Sequence, residues 1–158
     1  MSKISHLNKK GEARMVNVGE KEKSKRCAIA EGIVKVKSTT IEKIKKDNLP
    51  KGDLFGTARI AGIMAAKKTS ELIPLCHNLP ISSVKIEIKL VKNDIYVLGT
   101  VKCDGKTGVE MEALTAVSAS ALTIYDMCKS IDRAMEIREI KLIKKSGGKS
   151  GDWNRNSD

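Results

Sequence analysis

Two consecutive stretches decide the fold: VKIEIKLVKNDIYVLGTVKC, residues 84–103, and TGVEMEALTAVSASALTIYDMCK, residues 107–129. In the first, Val84, Ile86, Ile88 and Leu90 alternate with Lys85, Glu87, Lys89 and Val91, the period of a strand with one buried face. Asn93-Asp94 reads as a tight turn into IYVLGTVKC, which makes the stretch a hairpin. In the second, Ala, Val, Leu and Ile fill the space between Glu110 and Glu112 at one end and Asp126 and Lys129 at the other, as a long and largely buried helix would.

The flanks supply the remaining elements. Residues 1–26 are polar, with four successive charges from Glu20 to Lys23, and read as a mobile N-terminal arm. CAIAEGIVKV, residues 27–36, reads as the first strand. Ser38 and Thr39 can cap a short helix through TIEKIKKDN, with Pro50 beyond its end. A second helix opens near Asp53, because Lys51-Gly52-Asp53 is a turn with an N-cap residue, and runs to about Lys68. ELIPLCHNLP carries Pro74 and Pro80 and reads as a loop, while EIREIKLIKK supplies a last strand before SGGKSGDW. The order is β-α-β-β-α-β with one extra helix. It predicts a ferredoxin-like α+β sandwich, an antiparallel sheet with helices packed on one face, in a single domain over 27–158 ending in a short flexible tail.

Thirty basic residues against nineteen acidic ones give a net charge of +11, which points to an anionic partner. Aromatic residues make up only 3% of the chain, too few for the stacking platforms of single-strand binders, and no RRM signature is present. A phosphorylated small molecule is favoured over nucleic acid, although lysines such as Lys85, Lys89 and Lys92 are equally read as a solvated face. Cys27, Cys76, Cys103 and Cys128 are scattered, with no C-x-x-C pair, and read as reduced thiols of a cytoplasmic protein. No apolar run approaches the ~20 residues that span a bilayer.

The charges of the long helix separate into ordinary and unusual ones. Glu110 and Glu112 suit the N-terminal end of a helix dipole and Lys129 the C-terminal end, whereas Asp126 lies at the unfavourable end, partly relieved by Lys129 at i+3. Asp126 is therefore either structural, paired with Lys129, or a proton-transfer group working with it. Glu112 and Asp126 differ by only ~40° in azimuth but stand about 21 Å apart along the axis. No small reacting centre touches both within one subunit, so either the ligand is long or residues from two subunits meet.

Other motifs carry less. SGGKSG fails as a P-loop, since Ile143 stands where the first glycine is needed and no helix can follow; it reads equally as a mobile tail or as an anion loop with Lys149. Cys76 and His77 are adjacent and cannot readily converge on one metal ion, so no metal site is expected. His77, in a loop held by prolines, suits a role in orienting or protonating a ligand, or is a surface histidine without one.

Taken together, MVNVGEK, KGDLFGTARIAGIMAAKKTSELIPLCHNLP, KTGVEMEALTAVSASALTIYDMCK and KSGGKSGDW resemble the molybdenum cofactor biosynthesis protein C family, the cyclic pyranopterin monophosphate synthases, from Met15 to Trp153. The resemblance implies a hexamer, a trimer of dimers, with active sites between subunits. The implied reaction turns the cyclised dihydro-GTP made by a radical GTP cyclase into a pyranopterin with a cyclic phosphate and releases pyrophosphate. No cofactor, nucleic acid or membrane is implied. By motif, Asp126, Lys51 and Lys129 correspond to catalytic residues, and Leu75, Cys76, His77, Met111 and Glu112 to substrate-binding segments. Lys21, Arg26, Lys67 and Lys149 are candidates for the triphosphate. Asn78 stands where the family usually has proline, and Asn17 where the arm usually has aspartate.

Overall fold

The computed structural model describes residues 7, 8, 10–46 and 49–155. Its elements run β1 (Ser24–Lys35), α1 (Ser38–Lys45), α2 (Leu54–Lys67), α3 (Thr69–Leu72), β2 (Ile81–Val91), β3 (Asp94–Gly105), α4 (Glu110–Cys128), β4 (Glu136–Ser146) and β5 (Trp153–Asn154). The sheet order is β2-β3-β1-β4-β5, with every neighbouring pair antiparallel. This is the expected ferredoxin-like α+β arrangement, with α2 and α4 packed on one face of the sheet.

That face is built from small and branched residues. Ala28, Ala30 and Val34 of β1 and Ile95, Val97 and Val101 of β3 are buried against Ala113, Ala116, Val117, Ala121 and Ile124 of α4. Val117 presses so close to the sheet that a Cβ on Gly99 would lie 2.9 Å from its Cγ2. Between the helices, a Cβ on Gly62 would meet Ser120 Oγ at 2.3 Å and the Ala116 carbonyl oxygen at 2.9 Å, so only glycine permits this approach. The buried Ser120 hydroxyl is satisfied by donating to the Ala58 carbonyl at 2.9 Å. Ala58 faces Ser120 and Gly62 faces Ala116, so position rises along α2 as it falls along α4. The two helices are antiparallel.

Several local expectations are corrected. β1 begins at Ser24, not Cys27, because Ser24, Lys25 and Arg26 pair with Gly105, Asp104 and Cys103. The pairing extends the strand through residues without apolar period, and Arg26 belongs to the sheet rather than to the arm. The hairpin turns at Lys92-Asn93, one residue earlier than expected, with Val91 opposite Asp94 and Lys92 at φ +54°. Ser38 and Thr39 do not cap α1; its N-cap is Lys37, and the Lys37 amide and the Thr40 hydroxyl both donate to Asp132 Oδ2, at 2.9 and 3.1 Å. Helix α1 ends at Lys45, and Asp47 and Asn48, its expected last residues, lie outside the described residues. One turn of helix, α3, precedes the proline loop; it is too short to register as periodicity. Beyond SGGKSG the chain turns back, and Trp153 and Asn154 pair with Lys145 and Lys144, a strand the sequence reading does not contain.

Candidate active site

The antiparallel helix pair brings together residues far apart in sequence. Asp53 caps α2 by accepting the Gly56 amide at 2.9 Å, which fixes where the helix starts and holds Lys51 just ahead of it. Because α2 opposes α4, this start lies beside the end of α4. Lys51 Nζ stands 2.5 Å from Asp126 Oδ2 and donates to the Asp126 carbonyl at 3.1 Å, while Lys129 Nζ stands 2.8 Å from Asp126 Oδ1. Each carboxylate oxygen therefore holds one ammonium group.

These contacts resolve the oddity of Asp126. The hydrogen bond from Lys129, then that from Lys51, holds its carboxyl at about 2, well below the usual carboxylate range, against the unfavourable end of the helix dipole. The Lys129 ammonium is raised in turn, chiefly by the same bond. All three side chains are solvent-accessible, so a ligand can reach them and draw either lysine away. The arrangement offers a carboxylate that stays ionised beside two cations, suited to moving protons and to meeting phosphate.

The other end of α4 is built differently. Glu112, in the first turn, is 3% exposed, and burial pushes its carboxyl up, with the neighbouring Glu110 adding repulsion and its own backbone amide partly opposing. The Cys76 and Cys103 thiols are raised by burial and then by the Glu112 charge. His77 Nε2 lies 2.7 Å from the Val16 carbonyl oxygen, tying the proline loop to the arm. Leu75 and Met111 are exposed, as is Lys67, which lies at the end of α2 that faces Glu112.

Arg26 forms a corner next to this end. Its Nε donates to the Gly105 carbonyl at 3.4 Å and its Nη1 to the Gly147 carbonyl at 3.2 Å. The glycines of SGGKSG are required there: Gly148 has φ +78°, and a Cβ on it would fall 1.5 Å from Arg26 Nη1. The Gly147 amide donates to Asp152 Oδ1 at 3.2 Å, so the loop already holds an anionic oxygen, with Lys149 exposed on its rim. A cavity of about 270 Å³ opens at the corner, lined among others by Lys25, Arg26, Ser82, Lys102, Asp104 and Ser146. Lys21 lies exposed in the arm, its amide donating to the Val18 carbonyl at 3.1 Å. The Asn17 departure leaves that turn intact, because Asn17 Oδ1 accepts the Gly19 amide at 2.8 Å, and a carboxylate could offer only the same acceptor. Asn78 is exposed and takes no part in either cluster.

Expected site residues thus fall into two groups, Lys51, Asp126 and Lys129 at one end of α4, and Cys76, His77, Lys67 and Glu112 at the other. Helix rise keeps them about 21 Å apart within one chain. Two participants are missed in the sequence: Asp132, 2% exposed and bonded to Lys37, Thr40 and the Ala134 amide, and Lys106, which donates to the Gly19 carbonyl. Neither is marked by its neighbours in the chain, since apart from the Ala134 amide, two residues from Asp132, the partners lie 92, 95 and 87 residues away. Among the described residues, no three His, Cys, Asp or Glu side chains are placed to hold a metal ion, and no helix is long and apolar enough to cross a membrane.

Comparison with known proteins identifies the family. Residues 15–148 match the model of the MoaC family. Proteins named cyclic pyranopterin monophosphate synthase are similar over nearly the whole chain. The one from Peptoclostridium acidaminophilum is 53% identical, covering 98% of each chain. That from Roseiflexus sp. is 52% identical, covering 97% of this chain and 98% of its own. That from Brucella ovis is 54% identical, covering 96% of this chain and 93% of its own. A family match that takes in both ends of α4, the proline loop and the Arg26 corner leaves one conclusion: the chain belongs to the MoaC family.

Proposed function

We propose that this protein is a cyclic pyranopterin monophosphate synthase of molybdenum cofactor biosynthesis, acting in the cytoplasm on the cyclised dihydro-GTP that a radical GTP cyclase supplies. The observation that carries the reading is the cluster of Lys51, Asp126 and Lys129, an ionised carboxylate held between two ammonium groups. Rearranging base and ribose into a pyranopterin requires protons to be taken and returned at several atoms. Asp126 takes protons, and Lys51 and Lys129 return them or stabilise the oxyanions that form. Departure of pyrophosphate develops negative charge, which the lysine-rich surface and the Arg26 corner receive. Glu112, pushed towards its neutral form, supplies an acid beside Cys76 and His77 that the Asp126 end lacks.

The reading assigns the chain to a homohexamer, a trimer of dimers, in which the Asp126 end of one copy faces the Glu112 end of another. Two features support this. The ends stand too far apart in one chain to serve one small substrate, and the outer sides of α2 and α4 expose Ile60, Met64, Met111 and Leu122, apolar surface of the kind that subunits bury.

The test is Asp126→Ala in a purified assay for pyranopterin and pyrophosphate. Loss of a general acid–base group costs about 10²–10⁴-fold in rate, with no change in oligomer size expected by light scattering. Full activity in the variant sinks the assignment.

A further inference from the structure

The arm is gripped at two points by side chains from two different elements. His77, in the loop before β2, meets the Val16 carbonyl, and Lys106, between β3 and α4, donates to the Gly19 carbonyl. The grips are three positions apart in the chain, with Asn17 and Val18 between them, so they lie no more than about 10 Å apart. Between and after them the backbone is folded on itself, by the Asn17 side chain to the Gly19 amide and by the Val18 carbonyl to the Lys21 amide. Val16 and Val18 are half-buried, and the other residues from Met15 to Lys21 are exposed. Little apolar burial holds this segment, so polar grips decide its position, and such segments open at low cost.

The place of Lys106 makes its grip informative. The residue before it, Gly105, accepts Arg26 Nε, and α4 with Glu112 begins four residues after it. Lys106 therefore ties the arm to the Arg26 corner, while His77 ties it to the loop beside Glu112. Lys21 follows Gly19 by two residues, so the grip on Gly19 fixes where that ammonium can reach.

We propose that Lys106 is a positioning residue: with His77 it clasps Val16–Lys21 as a strap over the Glu112 end of the site, and so presents Lys21 to the phosphates of an anionic ligand bound at the Arg26 corner. The role of that ligand as substrate rests on the proposed function; the clasp itself does not. The strap carries no group of the Asp126 cluster, so loosening it weakens binding rather than the chemical step.

The experiment uses the full-length protein and Lys106→Met, with Lys106→Arg as the rescuing variant, under limited trypsin digestion read by mass spectrometry. In the wild type, inorganic pyrophosphate at millimolar concentration slows cleavage after Lys21. In Lys106→Met, cleavage after Lys21 accelerates about tenfold, the worth of one charge-assisted hydrogen bond, and pyrophosphate no longer protects. Lys106→Arg restores both. In the synthase assay the Met variant raises KM several-fold and keeps kcat within about twofold, a split that a general loss of stability would not produce. Unchanged cleavage after Lys21 in the Met variant overturns the clasp, whatever the activity. Faster cleavage in a protein without synthase activity leaves the clasp standing and removes the proposed function instead.

Discussion

Asp126 and Glu112 lie on one helix fourteen residues apart, yet the Asp126 side chain is 52% exposed between two ammonium groups while Glu112 is 3% exposed. Exposure with paired cations stabilises the ionised form of one; burial stabilises the neutral form of the other. The same helix thus holds a firmly ionised carboxylate at one end and one shifted towards its neutral form at the other. Such a divergence suits the acid–base roles proposed for the two residues. The contrast also separates catalysis from stability, because exposed Asp126 can be replaced at little structural cost, whereas Glu112 costs the fold something merely by being charged.

The largest effect that would break this contrast is kinetic. Lys129→Met and Lys51→Met should each lower kcat by about 10²–10⁴-fold, while thermal unfolding shifts by no more than ~0.5 kcal/mol, as expected of exposed side chains. A melting temperature that falls with the rate would mean the cluster is structural.

Next in size is Asp132→Ala. It leaves the Lys37 amide and the Thr40 hydroxyl without their acceptor and should destabilise the protein by about 1–3 kcal/mol in denaturant titrations. Burial alone would raise this carboxyl, but hydrogen bonds from Lys37, Thr40 and Ala134 outweigh it and hold it below its ordinary value. Its contribution is therefore present above the ordinary aspartate range and is lost as pH falls through the lowered value.

Gly62→Ala should cost about 1–3 kcal/mol, since the new methyl collides with Ser120 and with the backbone of Ala116. By prising α2 from α4 it should also lengthen the Lys51–Asp126 contact, so kcat falls further than for an equally destabilised variant elsewhere. Equal losses would show that the helix pair does not set that contact.

The smallest and most discriminating change is Glu112→Gln. The Glu112 carboxyl is raised in the folded protein, so its neutral form is favoured below about 4.3, the ordinary glutamate value, and that advantage disappears as pH rises through the raised value. Glu112→Gln should accordingly be more stable than the wild type at pH 7, and the difference should vanish at low pH. Asp126, held at about 2, stays ionised across the working range, whereas an acid at Glu112 must be protonated to act, so a fall in rate as pH rises through its raised value should disappear in Glu112→Gln. A fall that survives the substitution assigns it elsewhere.

Much of the architecture is legible without coordinates because its signals are local. The alternation from Val84 to Leu90, the cap at Asp53 and the apolar run of α4 each reveal themselves within a few residues. Three of the misread places share one physical cause: an outcome decided by a distant partner. Ser24–Arg26 become strand because β3 is long enough to pair with them, the start of α1 is tied at Lys37 and Thr40 to Asp132, and Trp153 finds β4. Of the site, Asp126 with Lys129 is visible as an i, i+3 pair with an unfavourable helix dipole.

What the sequence determines by itself is the longer elements, the ferredoxin-like order, the two charged ends of α4 and the family. Only the tertiary structure decides that α2 runs antiparallel to α4, which brings Lys51 to Asp126 across 75 residues, leaves Glu112 buried and lets His77 and Lys106 hold the arm. The reason is that periodicity and capping are properties of neighbours along the chain. Burial, ion pairing and the ionisation they control depend on which surfaces the packed core leaves in contact.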